Sequence, residues 1–91
     1  MPKLTKGQVQ GRLTSVPGWK LRADSIAKTY TFPSFVRAIT FVNHVGWLAE
    51  QADHHPDIDI RYKDVTLTFS THSEGGLTTR DFDAARRVDA T

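Results

Sequence analysis

Ninety-one residues allow one domain and leave little room for a second. The absence of cysteine excludes a disulfide framework, a zinc–thiolate site, an iron–sulfur cluster and a thiol nucleophile. Twelve Lys and Arg against ten Asp and Glu leave a net charge of +2, too near balance for a protein that wraps nucleic acid.

The first helix opens at Thr5, with Gln8 placed to complete a capping box and Leu4 and Val9 to form a hydrophobic staple. Val9, Leu13 and Val16 recur at helical spacing until Pro17-Gly18 stops the run. Trp19-Lys20-Leu21 reads as a short strand, Arg22 to Ser25 as a turn, and Ile26 to Phe32 as a returning strand. Ser34 caps a long helix that reaches about Asp53 and carries an apolar stripe of Phe35, Ile39, Val42, Val45, Ala49 and Ala52. Phe41, Leu48 and Trp47 lie off that stripe. So wide an apolar surface predicts a subunit contact, hence a homo-oligomer, dimer or tetramer.

Ile58, Ile60 and Tyr62 then alternate with polar residues, Lys63-Asp64 turns the chain, and Val65, Leu67 and Phe69 alternate with Thr66, Thr68 and Ser70. Ser73 to Gly76 is a loop, and Thr78 caps a last helix. The order α-β-β-α-β-β-α, with half-buried antiparallel strands, predicts an α+β two-layer sandwich: a four-stranded antiparallel sheet with three helices on one face. Residues 1–91 form one domain on this reading. Met1 to Gln8 hold no apolar run of a signal peptide, and no stretch is long enough to span a bilayer, so the expectation is a cytoplasmic protein without a membrane partner.

His54, His55 and His72 fall at the ends of predicted elements, where sites are usually assembled. Pro56 disfavours the helical conformation at His55 and so fixes the helix exit that carries the histidine pair. Glu50, one turn before His54, is placed to orient it or pair with its charge. If His72 ends the last strand, the antiparallel hairpin returns it to the His54-His55 turn. Imidazoles serve as proton donors and acceptors near neutral pH, and two side by side oppose simultaneous protonation, which favours one acid and one base. Metal binding is a second reading, although adjacent histidines before a proline are not the usual ligand spacing. A third is a surface pair that merely caps a helix C-terminus. His44, mid-helix, is read as structural or interfacial. Asp81 reads either as a site residue or as an acid in the first turn supporting the Thr78 cap, and Asp53 as a site residue or a solvated one near a helix end. Arg80, Arg86 and Arg87 read as solvated charges, and no nucleic-acid partner is expected.

The spaced set Glu50, His54-His55-Pro56, Tyr62, His72 and Asp81 resembles the signature of the pterin-4a-carbinolamine dehydratase family. Gly18-Trp19, Ser70-Thr71-His72 and Gly76-Leu77-Thr78 are similar to further family features, and the likeness covers nearly the whole chain. The resemblance implies a hydro-lyase that dehydrates a 4a-hydroxytetrahydropterin to the quinonoid dihydropterin, linked to recycling the cofactor of an aromatic amino acid hydroxylase. It implies His54 and His72 as an acid–base pair, with His55 binding the pterin. It also implies that Glu50 and Asp53 orient histidines, that Trp19 lines the pocket, and that Asp81 holds His72 or the start of the last helix. No metal, cofactor or covalent nucleophile is expected. The alternative is a non-catalytic protein-binding or dimerisation factor, a role that relatives on this fold also fill.

Overall fold

Thr5 opens the first helix as expected: its hydroxyl accepts from the Gln8 amide at 3.2 Å, and the Gln8 side chain accepts from the Thr5 amide at 2.9 Å. The computed structural model describes residues 2–91, and in it this helix, α1, spans Lys6–Leu13. It stops before Val16 because a turn follows that Gly18, at a φ of +90°, completes. Strands β1 (Lys20–Arg22) and β2 (Ser25–Thr31) form a hairpin through Ala23, which is held in the left-handed region at φ +52°. Ser34 caps α2 (Phe35–Ala52), its hydroxyl accepting from the Arg37 amide at 3.2 Å. Strands β3 (Asp57–Arg61) and β4 (Asp64–Phe69) follow, then a single 3₁₀ turn at His72–Glu74 and helix α3 (Thr79–Asp89).

The sheet is wholly antiparallel in the order β1-β2-β4-β3. Register pairs Ile26 with Phe69, Tyr30 with Val65 and Ile58 with Leu67, so these side chains share the face that meets the helices. Ala27, Thr29, Thr66 and Thr68 fall on the other face, in the expected α+β arrangement of three helices over one side of four strands. The core joins Ile26, Val65, Leu67 and Phe69 of the sheet to Val9 and Val16, to Ala38 and Val45 of α2, and to Phe82, Ala85 and Val88 of α3. Among the described residues, no buried side-chain nitrogen or oxygen lacks a hydrogen-bond partner, and no helix is long and apolar enough to cross a membrane.

Three expectations shift. The hairpin turn falls at Tyr62-Lys63, one residue early, because Tyr62 takes the left-handed conformation at φ +54° and leaves the strand. Strand β4 ends at Phe69, and His72 opens the 3₁₀ turn, since Thr71 bridges to Gly76 and folds the chain back on itself. The buried face of α2 centres on Ala38, Val45 and Ala49. Phe41 and Leu48 pack on the core, while Phe35, Val36 and Trp47 are exposed, Trp47 by 71%. Phe41 is drawn inward by Tyr30 and Phe32, whose rings lie 4.7 and 4.8 Å from it.

Candidate functional site

Helix α2 ends because Asp53 adopts a left-handed conformation, φ +49° and ψ +44°. That twist lets the Asp53 amide donate to the Glu50 carbonyl at 3.2 Å and the His54 amide donate to the Ala49 carbonyl at 3.1 Å, the paired bonds of a Schellman motif. Pro56 keeps the chain extended immediately afterwards. The His54-His55 pair therefore leaves the helix along a fixed path, with the two rings in unlike surroundings.

His54 is buried, 8% exposed, and its ring lies parallel to Phe69, centroids 5.9 Å apart and planes 11° apart. Its Nε2 meets Asp81 Oδ1 at 2.6 Å. Asp81 has no exposed surface, and its second oxygen accepts from the Thr71 hydroxyl and from the Thr78 amide, each at 2.9 Å. The Thr71 and Thr78 hydroxyls meet at 2.8 Å. One carboxylate thus completes the cap of α3, ties down the residue before His72 and holds the buried imidazole. The sequence left Asp81 between holding His72 and starting the helix; it starts the helix and holds His54.

Glu50 pairs with His55 rather than His54: Oε1 lies 2.7 Å from His55 Nε2 on an exposed surface. The reversal at Asp53 swings His54 inward to Asp81 and leaves His55 above the last turn of α2. His72 is exposed, next in the chain to Thr71 and so at the same end of the molecule as the Asp81 network. Among the described residues no three histidine or acidic side chains gather in a way that could hold a metal ion.

Trp19 is buried in the core, 5% exposed, against Phe69 at 5.7 Å, so Phe69 lies between it and His54. Its indole N–H donates to Asp89 Oδ2 at 3.0 Å, and Asp89 Oδ1 accepts from Lys28 at 2.9 Å and from the Tyr30 hydroxyl. Burial, then the Asp89 hydrogen bond and charge, push the Tyr30 hydroxyl far above its ordinary range. Burial raises the Asp89 carboxyl, but the Tyr30, Lys28 and Trp19 donors and the Lys28 charge outweigh it and hold it below the usual carboxylate value.

Three contributors carry little site signal in the sequence. Phe69 follows the alternation of a strand residue. Thr71 stands out only as part of Ser70-Thr71-His72. Arg80, a solvated charge by sequence, instead donates through Nη2 to the Ala52 and Asp53 carbonyls at 3.1 and 2.6 Å. Its position in the first turn of a helix, where a cation is out of place, was the available signal. Beside this network a cleft of about 580 Å³ runs between α2 and α3, bounded by Ala52, His54, Arg80, Ala84 and Arg87.

The family model described as pterin 4 alpha carbinolamine dehydratase matches residues 2–91. A protein of Acidobacterium capsulatum named "Putative pterin-4-alpha-carbinolamine dehydratase" is 51% identical over 90 residues, covering 99% of this chain and 98% of that protein. A Roseiflexus sp. (strain RS-1) protein of the same name is 48% identical over 96% of this chain and 94% of its own length. A crystal structure from Brucella melitensis, titled transcriptional coactivator/pterin dehydratase, superposes with a TM-score of 0.92 at 32% identity, covering 97% of this chain and 96% of that one. A pterin dehydratase-like protein described as a RuBisCO assembly factor in the alpha-carboxysome shares the fold, with a TM-score of 0.65 at 23% identity over 79% of this chain and 83% of its own. The resemblance carried by Glu50, His54-His55-Pro56, Tyr62, His72 and Asp81 thus extends over the full described length, and the chain belongs to the pterin 4 alpha carbinolamine dehydratase family.

Proposed function

We propose that the protein is a hydro-lyase that converts 4a-hydroxytetrahydropterin to the quinonoid dihydropterin, in cytoplasmic tetrahydropterin recycling alongside an aromatic amino acid hydroxylase. The observation that carries the reading is the unlike tethering of two adjacent imidazoles, His54 by buried Asp81 and His55 by exposed Glu50. In the reaction the bond from C4a to the hydroxyl oxygen breaks and a C4a=N5 double bond forms. The departing oxygen takes a proton and leaves as water, and the N5 proton passes to a base. Nothing in that balance requires a metal, a redox cofactor or a covalent nucleophile. Proton transfer worth about 10²–10⁴-fold, with positioning, suffices.

His54 and His72 are the acid–base pair of this proposal, and His55 binds the pterin. Because Asp81 engages Nε2 of His54, Nδ1 is the ring nitrogen left to exchange a proton with the substrate. Dehydration followed by ultraviolet absorbance tests this. His54→Ala and His72→Ala should each lower turnover by about 100-fold or more with the fold retained. Near-normal turnover in both variants overturns the assignment.

A second reading, a protein-binding factor on the same fold, is favoured by the exposed Phe35, Val36 and Trp47 of α2. The two readings coexist if that face joins copies of the chain into a dimer or tetramer. A monomeric mass in solution scattering at micromolar concentration removes the self-association, and a pull-down tests for other partners.

A further inference from the structure

Arg80 occupies the second position of α3, after the Thr78 cap, where the aligned amides of the first turn present partial positive charge. A cation there is opposed by its own helix. The offset comes from the neighbouring helix. The last carbonyls of α2 have no intrahelical donors, and the last turn of α2 carries no basic residue of its own. Arg80 supplies the missing charge across the gap, Nη2 reaching the carbonyls of Ala52 at 3.1 Å and Asp53 at 2.6 Å. These carbonyls belong to the two residues immediately before His54. The next residue of α3, Asp81, holds the His54 ring itself.

We infer that Arg80 is a positioning residue, which fixes the backbone leading into His54-His55 while Asp81 fixes the His54 ring. The inference rests on the dehydratase reading above for its kinetic consequence, but not for its geometric one. Two consecutive residues of one helix act on the same site, Arg80 on the carbonyls of the two residues that lead into His54 and Asp81 on the His54 Nε2. Loosening the main-chain grip lets the helix exit relax about the left-handed Asp53 and moves the imidazole away from its productive place. A displacement near 1 Å costs about 100-fold in rate.

The test uses the full chain with Arg80→Gln and Arg80→Lys, comparing steady-state dehydration with the nitrogen resonances of the His54 imidazole. In R80Q the resonances should move and kcat should fall about 10- to 100-fold with KM changed less than about threefold, since orientation rather than binding is lost. R80K, which keeps a cation near the carbonyls, should recover part of that loss. Unmoved resonances together with unchanged kcat in R80Q overturn the proposal, as does a loss confined to KM. If R80Q does not fold, R80K against the unsubstituted protein decides, because the shorter stem leaves at least one carbonyl uncapped. Wild-type resonances and kcat in R80K then overturn it. If the unsubstituted protein itself fails to dehydrate the carbinolamine, the dehydratase reading is what fails, and the His54 resonances alone judge Arg80.

Discussion

Phe69 lies flat against His54, 5.9 Å between ring centroids and 11° between planes, with Trp19 packed behind it. The aromatic wall sets the depth of the imidazole as Asp81 sets its direction. Phe69→Ala should cost about 3–5 kcal/mol of stability, the usual range for emptying a buried aromatic site. Phe69→Leu should cost less yet still lower dehydration, because a branched chain is no flat support. Urea unfolding and turnover on the same samples separate the two effects.

Asp81→Ala should be among the most destabilising single changes at the site. It strands the buried Thr78 amide and His54 Nε2, and leaves the Thr71 hydroxyl with the Thr78 hydroxyl as its remaining partner. At about 1–3 kcal/mol for a buried polar group left without a partner, shared relaxation brings the expected loss to roughly 3 kcal/mol. Chemical denaturation checks the stability, and turnover should fall with it.

Glu50→Ala should behave oppositely. The Glu50–His55 pair is largely exposed, 76% and 54%, so its removal should change stability by less than about 0.5 kcal/mol. If His55 binds the pterin, KM should rise nonetheless. A variant with unchanged stability and unchanged kinetics would remove Glu50 from the site.

Asp89 and Tyr30 set the pH limits of this side of the fold. The Asp89 carboxyl is held below its usual value, so its stabilisation is full above about pH 4 and is lost as pH falls through the folded-state value. The Tyr30 hydroxyl is raised, so its contribution is full below about pH 10 and is lost as pH rises beyond it. Asp89→Asn should weaken both limbs and cost about 1–2 kcal/mol at neutral pH, a modest figure because the carboxylate is a quarter exposed. Thermal unfolding from pH 3 to 10.5 reads both limbs.

Ala23 holds a left-handed conformation at the β1–β2 turn, where a methyl group brings strain. Ala23→Gly should raise stability by about 0.5–1 kcal/mol, visible as a higher midpoint in thermal unfolding.

Much of this architecture is legible residue by residue. Thr5 with Gln8, Ser34 and Thr78 announce all three helix starts, and the alternation of Ile58, Ile60, Val65, Leu67 and Phe69 announces the inner hairpin face. What escapes the sequence is the choice between near-equivalent partners. Helical spacing joins Glu50 to His54, but one left-handed residue at Asp53 rotates the chain so that Glu50 meets His55. The same limit hides Arg80, whose partners are main-chain carbonyls 27 and 28 positions away and carry no residue-type signature. Tyr62 likewise looks like a strand residue by alternation, and only its backbone angle removes it from β3.

The carboxylate at position 89 gathers Trp19, Lys28 and Tyr30 from 59 to 70 positions earlier in the chain. A nascent polypeptide extending from a ribosome cannot close this latch until position 89 has cleared the exit tunnel. Until then the indole, the ammonium and the phenol remain without their common acceptor, and the first hairpin waits for the final helix. Synthesis order therefore places the anchoring of that hairpin after the making of α3.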